Sequence, residues 1–136
     1  KGNEGVAAQL NQVDGGLGYV ESAYVKGKLQ AAALSNASGA MVKPTQTSES
    51  EALASIDLGP DLIGSNPNPM KGYPIVTFTW ILAYKSGNGP KADVLKKTFN
   101  FMLSEQAQAQ ASQLGYVTMP AAVIDKAKAA VAKISE

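Results

Sequence analysis

An α/β fold, with strands and helices alternating along the chain, is what this sequence predicts. Three observations carry the prediction. Residues 73–85, YPIVTFTWILAYK, concentrate β-branched and aromatic side chains, as a buried extended strand does. Apolar residues recur at helical spacing from Lys91 to Leu114 and again after Pro120. Between the chain's two composition regimes lies a segment without any period, residues 57–72, rich in proline and glycine and read as a loop or linker.

The elements follow in order. Asn3 precedes Glu4 and the set Val6, Leu10, Val13, whose spacing draws one apolar stripe on a short helix with Asn3 as its N-cap. The turn at Asp14–Gly16 ends that helix and leads into a short strand, Leu17–Val20, followed by one or two helical turns over Glu21–Val25. Lys28–Ser35 and Ala40–Lys43, separated by Ser38–Gly39, read as a β-hairpin. Pro44–Thr45 opens a helix through Ile56. After the loop and the long strand, KSGNGPKA makes a turn. One helix then runs to Leu114, with Val94, Leu95, Thr98, Phe99, Met102 and Leu103 on one face and Gly115 as its cap. Pro120 begins the last helix, which gathers Val123, Ile124, Ala127, Val131 and Ile134 on a shared face.

Composition removes several classes of function. The apolar content of 45% in 136 residues is that of a globular chain, and the net charge of +1 leaves no basic field to concentrate nucleic acid. All 12 basic residues are lysine, and neither histidine nor cysteine occurs. The commonest general base, metal ligand and activated nucleophile are therefore missing, so the sequence predicts no enzyme, no cofactor and no metal site. Glu49, Glu51, Asp57 and Asp61 fit no ligand spacing and read as solvated surface. The run at 73–85 is too short to span a bilayer, which takes about 20 apolar residues. Lys1 stands where an initiator Met would, directly before a helix signal; a cleaved leader or, preferably, a longer parent chain is expected.

KGNEGVAAQLNQVDGGLGYVESAYVKGKL, then YPIVTFTWILAYK, then a helix running into LGYVTMP, in that order, resemble the C-terminal part of the phosphate-binding proteins of bacterial ABC phosphate transporters. The likeness covers the whole chain and rests on Lys1–Gly5 and Gly18–Glu21 above all. It implies an extracytoplasmic, two-lobed binding protein, periplasmic or membrane-associated, that is a monomer at full length. Its ligand would be inorganic phosphate and its partner the ABC permease. Residues 1–72 would then be part of lobe two, and residues 73–136 the crossing strand and C-terminal helices of lobe one, with Tyr73 and Pro74 at the hinge.

The anion ligands implied by the resemblance, hydroxyls and N–H groups at helix N-termini, an Asp, and an Arg beside a Ser-Gly-Thr segment, match nothing in this chain and are expected upstream of Lys1. Asn3, Tyr19 and Glu21 are left as cleft-lining candidates, weighed against an ordinary helix cap for Asn3 and strand-end packing for the other two. The glycines of GGLGYVESAY precede the strand, which argues against a dinucleotide fingerprint. Trp80 and Phe78 read as core and not as a stacking platform. Other readings remain open: a binding protein for sulfate, phosphonate or molybdate, a secreted phosphatase-like enzyme with a related domain, and a surface adhesin on the same fold.

Overall fold

A computed structural model describes all residues from Lys1 to Glu136. The chain is mixed helix and strand, α/β as read from the sequence. Helix α1 (Gly2–Leu10) leads through a 3₁₀ turn (Ser22–Tyr24) to the hairpin β1 (Leu34–Ser35) and β2 (Met41–Val42), followed by α2 (Gln46–Ala54). A second 3₁₀ turn (Gly89–Lys91) precedes α3 (Ala92–Met102), α4 (Glu105–Gln113) and α5 (Ala121–Ala132).

Local chemistry explains the helices. Thr45 caps α2: its Oγ1 accepts from the Ser48 N–H at 3.1 Å while Ser48 Oγ accepts from the Thr45 N–H at 2.9 Å, a reciprocal capping box. Beyond α4, Gly115 takes φ +86°, and the Tyr116 N–H returns to the Ala111 carbonyl at 3.0 Å, closing the helix end as glycine commonly does. The helix predicted as continuous from Lys91 to Leu114 is instead two. Ser104 leaves the helical backbone and its Oγ accepts from the Ala107 N–H at 3.3 Å, starting α4 afresh, so that Leu103 at the break is buried.

At the other end, Asn3 is not the cap. Helix α1 starts at Gly2, Lys1 holds the cap position, and Asn3 lies within the first turn. Nor does the predicted stripe form a core face: Ala7 is the buried residue of α1, whereas Val6 is exposed and Val13 lies past the helix end.

The strands depart most from expectation. In the hairpin only Leu34↔Val42 and Ser35↔Met41 pair, antiparallel. Its turn is tied by Asn36 Oδ1, which accepts from the N–H groups of Ser38 at 3.1 Å and Ala40 at 3.2 Å. Leu17–Val20 forms no strand, and Tyr19 is 91% exposed. Residues 73–85 form no strand either. A β-ladder needs a second chain segment hydrogen-bonded alongside, and none pairs with this one. The expectation of burial on both faces is therefore corrected: Val76 and Phe78 turn inward, while Ile75, Ile81, Leu82 and Tyr84 face solvent. Trp80, expected in the core, is 41% exposed, with its indole N–H donating to the Leu62 carbonyl at 2.8 Å.

Two small cores result. Ala92, Leu103, Val131 and Ile134 join α3 to α5, with Phe99 and Ile124 packed against them. Leu53, Ile56 and Leu58 form the second, covered by Val76, Phe78, Val117 and Val123. The chain exposes 9536 Å², roughly 40% more than the scaling for a compact monomer of 14.1 kDa gives. Much apolar surface is therefore left uncovered along residues 75–84.

Candidate functional site

The first turn of α1 and the 3₁₀ turn at Ser22–Tyr24 meet in a cluster of carboxylates and hydroxyls. Asn3 Oδ1 accepts from the Glu21 N–H at 3.4 Å, which joins two of the three sequence-predicted residues. The Glu21 carboxylate in turn accepts from the Tyr116 hydroxyl at 3.4 Å. Tyr24 donates to Glu4 at 3.1 Å, and Ser22 donates to Glu49 at 3.0 Å. Tyr19 is not part of this cluster; its side chain stands in solvent.

The electrostatics follow from these bonds. The Glu4 carboxyl is held below the usual carboxylate range by its own backbone N–H and then by the Tyr24 hydroxyl. The Tyr24 hydroxyl is pushed up by the same bond and by the negative charge of Glu4. Every hydroxyl donor named here is already given to a carboxylate. A phosphate dianion needs free N–H and O–H donors, and none of these hydroxyls is free for one. The cluster can fasten α1 to the segments carrying Glu21 and Tyr116.

Of the residues singled out in the sequence, Asn3 and Glu21 meet here, beside Glu4, Ser22, Tyr24, Glu49 and Tyr116, which the sequence reading did not bring to this place. The distances in sequence explain the omission, since Tyr116 meets Glu21 across 95 positions. The one available signal was Tyr116 within LGYVTMP, a segment singled out for its likeness to the family. Glu49, read as solvated surface, is instead buried.

Tyr73 and Pro74 lie elsewhere, beside α2. The Tyr73 N–H donates to the Ser48 carbonyl at 2.9 Å, and its hydroxyl is pushed up by burial and then by the charge of Glu49. A hollow of 570 Å³ opens between α2 and residues 112–118, lined by Gln46, Thr47, Ser50, Glu51, Ser112 and Thr118, with no cationic side chain among them. No group of three or more acidic side chains is placed to hold a metal ion. No helix is long and apolar enough to cross a membrane.

No family model matches the chain. Individual proteins do. The phosphate-binding protein PstS of Pasteurella multocida (strain Pm70) is 34% identical over 136 residues, which cover 95% of this chain and 39% of that protein. The chain is a relative of the phosphate-binding proteins. PstS of Xylella fastidiosa (strain 9a5c) is likewise 34% identical, over 95% of this chain and 37% of its own length. The archaeal PstS of Methanocaldococcus jannaschii is 31% identical over 88% of this chain and 35% of its own length. The resemblance read from the sequence is thus borne out along nearly the whole chain, which spans 35–40% of the phosphate-binding proteins it matches. Those relatives are named for binding and not for catalysis.

Proposed function

We propose that this chain forms part of an extracytoplasmic solute-binding protein that captures inorganic phosphate and delivers it to an ABC permease for import. The observation that carries the reading is 34% identity to phosphate-binding proteins over 95% of the chain. The uncovered apolar surface supports it independently, because a strand-forming stretch such as Ile75–Leu82 gains stability when a larger fold supplies neighbouring strands. In this reading residues 1–72 contribute to one lobe and residues 73–136 to the other, and the full-length protein is a monomer. Tyr73–Pro74 is the crossing between lobes. Asn3 and Glu21, with Tyr19 nearby in sequence, line the cleft between them.

Transport then works by closure and without bond-making chemistry. Phosphate bridges the two lobes, the closed form is populated in proportion to its extra contacts with the anion, and the permease engages that form. The anion-holding donors come from the part of the protein that the relatives possess upstream of the matched region.

The test is a joined protein. The portion of the Pasteurella multocida phosphate-binding protein preceding the match is fused to Lys1, and phosphate binding is followed by calorimetry. Micromolar or tighter phosphate binding by the fusion, with none by the 136-residue chain alone, is the expected result. A fusion that folds and prefers sulfate or molybdate, or a chain that binds phosphate unaided, contradicts the proposal.

A further inference from the structure

Residues 84–88 and 135–136 are tied together around one asparagine. The Asn88 side-chain amide donates to the Tyr84 carbonyl at 2.9 Å and to the Ser135 carbonyl at 2.9 Å, which engages both of its hydrogens. Two backbone bonds stand beside it: the Ser135 N–H donates to the Lys85 carbonyl at 2.8 Å, and the Gly87 N–H to the Glu136 carbonyl at 3.1 Å. The tie adjoins the core between α3 and α5, in which Ala92 and Ile134 are buried. Asn88 also caps the 3₁₀ turn, its own carbonyl accepting from the Lys91 N–H at 3.2 Å.

The residue that follows gives this asparagine a second chemistry. Asn88 alone among the asparagines precedes a glycine, whereas Asn66 and Asn68 precede prolines, whose nitrogen has no proton to give. As the first residue of the 3₁₀ turn, Gly89 donates its N–H to no backbone carbonyl. A Cβ added there would meet nothing within 4 Å, so nothing crowds the Gly89 nitrogen. Gly87 at φ +82° and Gly89 at φ +51° leave the backbone on both sides of Asn88 free to turn. If the Gly89 nitrogen gives its proton to hydroxide, its lone pair can form a bond to Cγ of Asn88 and close a five-membered ring. The Cγ–Nδ2 bond breaks, and the nitrogen leaves as ammonia with a proton from water. Water then opens the cyclic imide: attack at Cγ leaves Asp, and attack at the main-chain carbonyl leaves isoaspartate. The sum is amide plus water giving carboxylate plus ammonium, with no oxidation or reduction.

We propose that Asn88–Gly89 is a site of spontaneous deamidation whose product unfastens residues 135–136 from residues 84–88. The amide that donates two hydrogens becomes a carboxylate that donates none and faces the same two carbonyl oxygens. Isoaspartate also adds a methylene to the main chain directly before the 3₁₀ turn that leads into α3. The bonds that the reaction destroys are those that slow it, because Cγ reaches the Gly89 nitrogen only after the amide leaves the Tyr84 and Ser135 carbonyls. The fold thus sets the rate of an irreversible change in itself. This inference stands on these contacts and not on phosphate binding.

The 136-residue chain, kept in mildly alkaline buffer both folded and unfolded in guanidinium chloride, is sampled over time and mapped by peptide mass spectrometry. Asn88 is expected to convert before any other asparagine, to both Asp and isoaspartate, and several-fold more slowly in the folded chain than in the unfolded one. Gly89→Ala, read in the unfolded chain where φ +51° imposes no strain, should slow the conversion several-fold by crowding the attacking nitrogen. Amide exchange at Gly87 and Ser135 should rise about 10-fold or more in the deamidated chain and in Asn88→Asp, while Ala107 and Gln108 of α4 keep their protection. Conversion of another asparagine first, a folded rate equal to or above the unfolded one, or unchanged exchange at Gly87 and Ser135 overturns the proposal. The two rates of the unaltered chain decide the point even where Asn88→Asp fails to fold.

Discussion

Residues 92–132 and residues 74–84 both carry long apolar side chains, yet the first range folds into packed helices and the second lies extended and largely bare. Helices α3 to α5 satisfy their backbone groups within each segment, so packing α3 on α5 through Leu103, Val131 and Ile134 completes them. An extended segment must borrow hydrogen bonds from another strand, and residues 75–84 find none in this chain. The lesson is about dependence. The helices close their own hydrogen bonds, whereas the extended region has no strand partner within this chain.

Substitutions can break or sharpen that contrast. The largest effect belongs to Leu103→Ala, which removes a buried side chain at the α3–α4 break: a loss of about 3 kcal/mol is expected in urea denaturation, against a change within about 0.5 kcal/mol for Leu82→Ala at a site 94% exposed. Equal costs at the two positions would mean that the extended segment is as well packed as the helices.

Trp80→Ala is expected to cost about 1–2 kcal/mol, below the range for a fully buried aromatic, because the ring is partly in solvent. Trp80→Phe should lose about 1 kcal/mol of this through the missing bond to Leu62. A larger loss in Trp80→Ala would restore Trp80 to the core.

Ser104→Ala should cost about 1 kcal/mol, the usual value of an N-cap, and it should loosen α4 without touching α3, as amide exchange of Ala107 and Gln108 would report.

These sites also show how far the sequence could be read. Thr45, Gly115 and Pro120 announced their helix ends because capping is local chemistry: the partners lie within a few residues. Ser104 carries the same chemistry but sits inside a run of good helix formers, and periodicity hid the break. The apolar, β-branched character of Ile75–Ile81 was legible; that the run would form no strand and stand largely exposed was not, since pairing and burial depend on which neighbours exist. For the candidate site, Asn3 and Glu21 were within reach of motif reading. The long-range bonds of Tyr116 to Glu21 and of Ser22 to Glu49 join separate motifs, and no local pattern marks them.

The smallest effect is electrostatic. Glu4 sits below the ordinary carboxylate range in the folded chain, so its contribution is present above that range and is lost as acid protonates it. Tyr24 is raised, so its contribution is present below the ordinary tyrosine range and is lost as pH climbs through the folded value. Melting temperature should therefore decline slightly at both ends of the pH scale. Tyr24→Phe should flatten the alkaline decline and make the acid one shallower, since the backbone bond to Glu4 survives. An unchanged pH profile in that variant would remove the Tyr24–Glu4 bond from the account.

The central claim is that residues 75–84 are a strand awaiting the sheet of a phosphate-binding protein. Amide exchange across this segment, compared between the 136-residue chain and its fusion to the upstream portion of the Pasteurella multocida protein, tests it most directly. The account predicts exchange near the unfolded rate in the chain alone and protection on the order of 100-fold or more in the fusion. Protection already present in the chain alone, or none gained in a folded fusion that binds phosphate, would contradict it.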